Sequence, residues 1–360
     1  MELYVFNKEL NFQGLVDVFD SFIWRRRYSR CGDFELHLPI TVENLSLLKK
    51  GNIIYKKDDR EAGYIVYRKL TEDTEGREML AVMGRFMTGY LGRRIIWETE
   101  NLNGTSIESA MRQLVNNNCI NPADQHRKIE LLELGALKGY PQPANFQVSY
   151  SNLLNVIEDK SGASELGIRT FLDVKGKKLV FDIYEGLDRT AGQNINPQAI
   201  FSKEFENVLD QEYTDSMNDY KNIALIAGEG EGAERVLTIV GSGNGVDRFE
   251  LFVDARDLQQ GEMSTEDYTS QLQQRGNEKL SENRIIQTFG SKINVLSNLT
   301  YKVDFDLGDL VTCVSKKWGI TIDTRITEVE EVYEAEGKQI NVTFGNDIPT
   351  LIEKIKKVIR

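Results

Sequence analysis

The chain has 360 residues, of which 40% are hydrophobic and 28% charged, the composition of a globular protein rather than of a disordered or membrane-embedded one. Its 56 acidic residues outnumber its 44 basic residues and give a formal net charge of -12, which argues against a surface built to bind nucleic-acid phosphates. At roughly 150 residues per domain, a chain of this length is expected to form two or three domains.

Short strand-like segments separated by polar turns fill residues 1–100 and predict a first domain built as a small β-barrel. The polar run 71–76 is expected at the tip of a hairpin. Arg25, Arg26 and Arg27 stand directly before another strand-like run, so we expect them at a solvated edge or at a contact between subunits. The predicted strands lie within 2–6, 16–24, 33–39, 51–57, 63–70 and 78–84.

Residues 101–190 predict an inserted α/β domain. Thr105 and Glu108 have the spacing of a capping box, which predicts the start of a helix with apolar residues at helical spacing. A second helix is predicted over 151–161. Two strands, at 169–174 and 177–184, are expected to follow around a turn at Gly176.

Residues 191–300 predict a β-rich segment that follows a linker at 193–197. Strand-like runs occur at 222–228, 235–240 and 248–255, and the glycine-rich loop 241–245 is expected to join the last two as a hairpin. A polar helix is predicted over 264–279, beginning at Ser264. Its apolar positions are chiefly Tyr268 and Leu272, so we expect it on a surface or against another subunit.

Residues 301–345 predict the closing strands of a second small barrel. Alternation begins at Val303, Phe305 and Leu307, and the turns at Gly308, Gly319 and Gly337 would join four strands. Residues 346–360 predict an amphipathic C-terminal helix, which we expect to dock on its own domain rather than on a partner. Its apolar stripe comprises Ile348, Leu351, Ile352, Ile355 and Ile359.

Several motifs that suggest chemistry have simpler explanations. The runs GEGEG at 228–232 and GSGNG at 241–245 lack the lysine and spacing of phosphate-binding loops and predict turns. The two histidines are His37, inside a strand, and His126, in a polar loop, so a catalytic triad would need His126. No zinc motif is present. The widely spaced cysteines Cys31, Cys119 and Cys313 predict free thiols of a reducing compartment.

Two further groups leave alternatives open. Asp304, Asp306 and Asp309 are close enough in sequence to suggest calcium binding or glycosidase chemistry, but solvated strand carboxylates and a turn aspartate explain them better. An aromatic group could form a sugar-binding platform, but its spacing favours a buried strand face. That group comprises Phe22, Trp24, Tyr28 and Phe34. No catalytic, cofactor-binding or metal-binding residue is assigned, and no cofactor is expected.

Five segments resemble, in their order and spacing, the tail hub proteins of phages and prophages. These tail-associated proteins lie at the tip of long-tailed phages and are related in fold to the baseplate hub of contractile tails. The resemblance spans nearly the whole chain. The segments are FIWRRRYSRCGDFELHLP at 22–39, GRFMTGYLGRRII at 84–96, FDIYEGLDRT at 181–190, FSKEFENVLDQEY at 201–213, and the closing region from FDLGDLVT at 305–312, through Gly319, Asp323, Arg325, Ile326, Glu328 and Val329, to TFG at 343–345.

The resemblance implies a multidomain, mainly β fold with α+β parts, in which two small β-barrel domains carry inserted α/β domains. It implies a structural protein, not an enzyme, that forms the central baseplate hub as a homotrimer, connects the tail tube to the tip and closes or lines the channel. The expected partners are the distal tail protein, the tail tube and the tape-measure protein, with tail fibre or cell-wall hydrolase proteins as further candidates. An acidic channel would let DNA slide through.

We therefore expect a virion protein of the tail tip, made in the cytoplasm of the bacterial host. The N-terminus has no signal-peptide pattern, and no apolar run approaches the ~18 residues of a membrane-spanning segment. Neither specific nucleic-acid binding nor a membrane segment is expected. The alternative functions are a cell-wall glycan hydrolase that uses paired carboxylates and a glycan-binding tail protein.

Overall fold

The computed structural model describes residues 1–345, which fold into a mainly β structure with α+β parts, as the sequence predicts. The helices are α1 (Val42–Leu47), α2 (Ile107–Val115), α3 (Leu153–Ser164) and α4 (Thr265–Ser281). The strands are β1 (Leu3–Phe6), β2 (Phe12–Val16), β3 (Ser21–Arg27), β4 (Asp33–Pro39), β5 (Ile53–Lys56), β6 (Ala62–Glu72), β7 (Glu78–Phe86), β8 (Glu100–Ser106), β9 (Leu132–Leu134), β10 (Pro143–Val148), β11 (Gly167–Asp173), β12 (Lys178–Tyr184), β13 (Ile200–Ser202), β14 (Glu212–Ser216), β15 (Ile223–Ala227), β16 (Leu237–Gly241), β17 (Glu250–Asp254), β18 (Ile286–Ile293), β19 (Leu310–Ser315), β20 (Ile320–Glu334) and β21 (Gly337–Gly345).

One 13-stranded sheet contains strands from both ends of the described chain. Its main path runs β14-β18-β21-β20-β3-β4-β7-β6-β5-β1-β2, and β19 joins it through β20 and also pairs with β13. The two halves meet where β3 pairs antiparallel with β20, with Arg27 opposite Glu328 and Ser21 opposite Glu334. We call this pairing the β3–β20 junction. The division of the chain into separate barrel domains stays a prediction.

The start of the closing segment differs from the prediction. Residues 303–307 form turns rather than a strand, and Val303 is 68% exposed. The backbone N–H groups of Val303 and Asp304 both donate to the carbonyl of Thr300, and the Asp304 carboxylate accepts the N–H of Thr300 in return. This local aspartate turn competes with strand pairing. All three predicted turn glycines have a positive φ: Gly308 precedes β19, Gly319 lies between β19 and β20, and Gly337 lies where β20 turns into β21. These turns accompany three strands rather than the predicted four, because the first predicted strand is absent.

Residues 100–184 form a middle unit of two helices and two small sheets. The hairpin β8–β10 and the three-stranded sheet β11-β12-β9 accompany α2 and α3. The predicted capping box is wrong, because Ser106 rather than Thr105 caps α2 and accepts the N–H of Ser109. Glu108 is fully buried and accepts three backbone N–H groups of the loop 138–140 instead of closing a box.

The cap assignment gives a direct prediction. Ser106→Ala should lower the free energy of unfolding by about 1 kcal/mol, because one N-terminal N–H of α2 loses its acceptor. Thr105→Ala should leave it within about 0.5 kcal/mol of the native value, as for a surface substitution. Urea denaturation followed by circular dichroism measures both. Equal losses from the two variants would contradict the assignment.

Residues 223–281 form a smaller unit in which α4 covers one side of the sheet β16-β15-β17. The predicted hairpin is wrong: β16 and β17 do not pair with each other but flank β15, antiparallel and parallel respectively. The loop 241–245 is therefore the connection that passes from one edge of the sheet to the other. The apolar positions of α4, Tyr268 and Leu272, pack against its own sheet, whereas Glu266, Asp267 and Gln273 are exposed.

Three clusters of buried hydrophobic residues hold these parts together. The largest joins the N-terminal strands to the middle unit. The second surrounds Phe201, whose ring centroid lies 5.1 Å from that of Phe305 and 4.9 Å from that of Phe344. The third lies beneath α4. Within residues 1–345, no helix has the length and apolar character needed to span a membrane. The predicted helix at 346–360 falls outside the described residues.

Candidate functional site

Arg25, Arg26 and Arg27 lie in the β3–β20 junction, not at a solvated edge. Strand alternation directs Arg26 to the same face as Trp24, and Arg25 and Arg27 to the opposite face. Since β20 and β4 flank β3 on its two sides, the triplet cannot pair with another subunit through its backbone. The predicted edge position is therefore wrong, because β3 is an interior strand; Arg26 is buried, whereas Arg25 and Arg27 are partly exposed on the opposite face.

Arg26 is the centre of a buried group of charges and is only 4% exposed. Its Nε lies 2.9 Å from Glu61 Oε2, and its Nη1 lies 2.8 Å from Asp306 Oδ1. Asp59 Oδ2 is 3.8 Å from the Arg26 Nε and accepts hydrogen bonds from Trp24 Nε1 and Lys302 Nζ. The guanidinium thus connects β3 to the turn before β6 and to the loop before β19.

A second buried ion pair lies beside the first, on the same face. Lys56 Nζ is 3.0 Å from both carboxylate oxygens of Glu331, and both side chains are completely buried. Lys338 Nζ also reaches Glu331 at 2.7 Å. These contacts connect β5, β20 and β21. We call the set the buried charge cluster; it comprises Arg26, Lys56, Asp59, Glu61, Lys302, Asp306 and Glu331.

The pKa values of the carboxylates in this cluster depend on both burial and the neighbouring cations. Burial alone would raise the pKa of Asp59 and of Glu331. The neighbouring cations outweigh burial in both cases. Arg26, Lys302 and Lys56 hold the pKa of Asp59 well below its usual range. Lys56, Lys302 and Lys338 lower the pKa of Glu331 to about 2. At Glu61, burial dominates and raises the pKa.

The opposite face of the junction carries a partly exposed ladder of ion pairs. Arg25 Nη1 and Arg27 Nη1 each lie 2.5 Å from an oxygen of Asp33. Arg25 Nε donates to Glu330 at 2.9 Å, and Arg27 Nε donates to Glu328 at 2.7 Å. Each arginine therefore bridges β4 and β20, and the junction is fastened by charges on both faces.

Tyr28 extends the junction to the middle unit. Its hydroxyl lies 3.0 Å from the carbonyl oxygen of Glu165 and 3.3 Å from that of Tyr184. Burial raises the pKa of Tyr28 to about 12, so the hydroxyl stays protonated and can donate. The Tyr28 ring packs on Gly167 and Gly308, where a Cβ atom would come within 2.4 Å of ring carbons. Glycine is needed at both positions for this close approach.

Replacing Gly308 tests this contact. Gly308→Ala should lower the free energy of unfolding by about 2 kcal/mol or more, because its φ of +95° is strained for alanine and its Cβ would overlap the Tyr28 ring. Gly319→Ala is the matched control, since its φ is +67° and an added Cβ would meet no atom within 4 Å. The Gly319→Ala change should lower the free energy of unfolding by about 1 kcal/mol. Equal urea midpoints for the two variants would contradict the packing argument.

The three aspartates considered for calcium or glycosidase chemistry are all used within the chain. Asp309 follows the turn at Gly308 and is buried, and it accepts hydrogen bonds from the N–H groups of Leu187 and Asp306 and from Arg189 Nε. Asp306 binds Arg26, and Asp304 accepts the N–H of its own turn. These carboxylates act as structural acceptors that fasten the loop before β19.

The remaining candidate residues lie apart from one another. His37 Nε2 is 2.5 Å from Glu35 on the same strand, whereas His126 is exposed in a loop. Burial raises the pKa of Cys31 and of Cys119 to about 12, so both thiols are protonated at neutral pH and poorly nucleophilic. Cys313 is likewise a buried free thiol, and the predicted free state of all three cysteines is confirmed. Among residues 1–345, no group of three His, Cys, Asp or Glu side chains is placed to hold a metal ion.

The aromatic group and the glycine-rich loop follow the simpler predictions. The four aromatic side chains are at most 2% exposed, which confirms a buried strand face: Phe22, Trp24, Tyr28 and Phe34. The loop 228–232 is a turn between β15 and β16, with positive φ at Gly230 and Gly232. A cleft of about 250 Å³ lies between α3 and α4, but its Lys160 and Glu278 are already paired at 2.6 Å.

The sequence alone contained a signal for the buried charge cluster that its local interpretation missed. Phe22, Trp24 and Arg26 occupy alternate positions of one strand, so the face that buries two aromatic residues also receives the arginine. A buried arginine requires acidic partners. Its partners Glu61 and Asp306 lie 35 and 280 residues away in the sequence, and hydrophobic periodicity carries no information about contacts at such separations.

A sequence model of one protein family matches nearly the whole chain. The family is described as Siphovirus ReqiPepy6 Gp37-like protein, and the match covers residues 2–346. None of the curated protein sequences matches the chain.

Solved structures of tail proteins share the fold. The chain is similar to the tail protein from Neisseria meningitidis MC58, with a TM-score of 0.61 and 13% identity, covering 96% of each chain. It is similar to the 43 kDa tail protein of prophage MuSo2 from Shewanella oneidensis, with a TM-score of 0.58 and 12% identity over 96% of this chain and 98% of that one. It also resembles prophage tail protein gp18 from Listeria monocytogenes EGD-e, with a TM-score of 0.57 and 14% identity over 100% of this chain and 98% of that one.

Proposed function

Because the chain belongs to the Siphovirus ReqiPepy6 Gp37-like protein family and is a structural protein of a phage tail, we propose that it forms the central hub of the tail tip. In this role it connects the tail tube to the tip and closes or lines the channel. It acts without catalysis, through its interfaces with other tail proteins.

The observation that carries the proposal is the β3–β20 junction. A hub subunit that contributes two β units to a ring must hold them at a fixed angle, so that all copies present the same surfaces to their neighbours. One continuous sheet, fastened by ion pairs on both faces, supplies this rigidity. Its charges are directed at each other rather than at a ligand, as expected for a structural element.

We propose that the hub is a homotrimer whose partners are the distal tail protein, the tail tube and the tape-measure protein. Tail fibre or cell-wall hydrolase proteins are further candidates for attachment. The net charge of -12 suits a channel that does not bind DNA. The proposed location is the tip of the virion tail.

The solution mass of the purified protein tests this function. Light scattering across a concentration series, alone and with the distal tail and tail tube proteins, should give three times the 41.1 kDa chain mass in at least one of these mixtures. The trimer should then appear as a ring with a central opening in electron micrographs. A monomer at every concentration that ignores both tail proteins would overturn the hub proposal.

A further inference from the structure

Two aromatic side chains project into solvent where β10 leads into α3. Tyr150 is 77% exposed and Trp97 is 49% exposed. The backbone N–H of Tyr150 donates to the carbonyl of Ile96 at 2.7 Å, so the two aromatic residues are neighbours on adjacent chain segments. Ile95, on the same segment as Trp97, is 47% exposed. Large apolar side chains grouped in water mark places where another molecule binds.

The backbone around Tyr150 has the arrangement of a G1 β-bulge. Tyr150 donates its N–H to the carbonyl of Ile96, and the N–H of Ile96 donates to the carbonyl of Ser151 at 2.9 Å. The first position of such a bulge is left-handed and is usually glycine, whereas Tyr150 adopts it with a φ of +49°. That conformation is strained for any residue with a Cβ, and a side chain mostly in water gains little packing in return. Uncompensated strain of this kind is typical of ligand-binding positions.

Arg127 supplies a positively charged donor beside the Trp97 ring. Its guanidinium carbon lies 4.2 Å from the centre of that ring. Its Nη2 donates to the carbonyl of Ile95 and, at 3.1 Å, to Asn118 Oδ1, which fixes the guanidinium in place. No other nitrogen of the group has an acceptor among residues 1–345. Arg127 is therefore oriented before a ligand arrives and has N–H groups left to donate.

A second guanidinium adds to the positive charge at this place. Arg94 Nε donates to the carbonyl of Arg127 at 2.6 Å. Neither arginine forms an ion pair with a carboxylate in the part of the chain that the structure describes. In a chain with a net charge of -12, two such arginines next to exposed aromatic rings favour a ligand that carries negative charge.

The size and chemistry of this surface favour a saccharide. A stable contact between proteins buries about 800 Å² on each partner, whereas the large apolar side chains exposed here are Ile95, Trp97 and Tyr150. A pyranose needs a single aromatic face, because its apolar C–H face packs on the ring while its hydroxyl groups stay at the edge. The net charge of the chain disfavours nucleic acid.

We propose that Trp97, Tyr150 and Arg127 form a binding site for an acidic saccharide, whose pyranose rings carry carboxylate or phosphate groups. The two aromatic rings pack on the C–H faces of the sugar, and Arg127 donates to the acidic group. The strained backbone at Tyr150 keeps its ring in solvent, where a sugar can reach it. Acidic saccharides are constituents of bacterial cell walls, so the site allows a tail protein to contact the wall, whether or not the chain forms a hub.

Isothermal titration calorimetry of the full chain tests the proposal with three probes. N-acetylglucosaminyl-N-acetylmuramic acid carries a carboxylate, N-acetylglucosamine 6-phosphate carries a phosphate, and chitobiose is neutral. At least one acidic probe should bind about tenfold more tightly than chitobiose, and the tighter of the two identifies the acidic group. No binding, or equal binding of all three probes, would overturn the proposal.

Tyr150→Gly separates binding from folding. Glycine adopts a φ of +49° without strain, so the urea midpoint should rise, whereas the affinity for the acidic probe should fall at least about tenfold. Trp318→Ala is the matched control, because Trp318 is 44% exposed between β19 and β20. It should change the affinity less than about twofold. A lower urea midpoint for Tyr150→Gly, or an unchanged affinity, would contradict the assignment.

Arg127→Gln tests the charge. It should weaken the acidic probe about tenfold but change chitobiose binding less than about twofold, because chitobiose has no charged group. Equal losses for both probes would show that Arg127 does not bind the acidic group. Tighter binding of single-stranded oligothymidine than of the saccharides would assign the surface to nucleic acid instead. An oligomer that Trp97→Ala dissociates, seen by light scattering, would assign it to a protein contact.

Discussion

Replacing Arg26 with methionine should lower the free energy of unfolding by about 3–5 kcal/mol, the cost of removing one partner from a buried ion pair. Methionine fills much of the volume of arginine but leaves Glu61, Asp59 and Asp306 without their common cation. Asp59 keeps its hydrogen bond from Lys302 and the Asp306 side chain is 44% exposed, so the main cost arises at the buried Glu61 carboxylate, which must be protonated or hydrated inside the protein. Urea denaturation followed by circular dichroism, with native and Arg26→Met proteins side by side, measures the loss.

Two control variants separate this effect from a general loss of charge. Arg284→Ala removes an exposed pair with Glu165 and should cost no more than about 1 kcal/mol. The loss of unfolding free energy in Arg26→Lys should lie between the losses in Arg26→Met and Arg284→Ala. An ammonium keeps the charge but cannot reach Glu61 and Asp306 with two separate N–H groups. If Arg26→Met were as stable as Arg284→Ala, the cluster would not fasten the junction.

Glu331→Gln should destabilise the protein at pH 7 by about 3 kcal/mol, and the difference should disappear in acid. The folded pKa of Glu331 is about 2, against an ordinary value of 4.5, so its ionised form stabilises the fold by about 1.36 kcal/mol per unit of difference. Because the pKa is lowered, this stabilisation is complete above about pH 4.5 and is lost as the pH falls towards 2. Urea midpoints at several pH values between 7 and 2 measure the change.

The comparison with Glu331→Gln is needed because other groups titrate in the same range. Burial raises the pKa of Glu61, so its titration changes stability in the opposite direction, and only the difference between the two proteins isolates Glu331. Glu334→Gln, an exposed residue on the same strand, is the matched control and should follow the native protein at every pH. If the difference in urea midpoint between the native and Glu331→Gln proteins stayed constant down to pH 2, Lys56, Lys302 and Lys338 would not be stabilising the ionised form of Glu331.

Local sequence patterns predicted most of the elements. Alternation identified β4 at its observed bounds, Asp33–Pro39, and the cap at Ser264 correctly marked the start of α4. The failures arose where nonlocal pairing decided the outcome. The loop 241–245 looked like a hairpin because it joins two strand-like runs, but a third strand, β15, pairs with both of them. The order of the strands along the chain does not show that β15 lies between β16 and β17 in the sheet.

The candidate site was harder to predict than the fold for the same reason. Asp304 and Asp306 alternate with apolar residues and so suggested a strand, yet a turn formed around Thr300 aims Asp306 at Arg26. In the sequence, the members of the buried charge cluster near the N-terminus and those after residue 300 each look like ordinary solvated charges. Only the resemblance to tail hub proteins connected the first and last segments, and it did so without indicating which side chains meet.

The β3–β20 junction has a consequence for the newly made protein. Arg26 and Val329 pair although about 300 residues separate them, so at 5–20 residues per second a ribosome needs about 15–60 s to supply the partner of β3. Throughout that interval β3 has an open edge. The same three arginines that later bind acidic residues then place adjacent positive charges on that edge, and like charges discourage pairing between the β3 strands of neighbouring nascent chains. We therefore expect Arg25, Arg26 and Arg27 to limit aggregation of the nascent chain before Arg25 and Arg27 bind the acidic residues of β20.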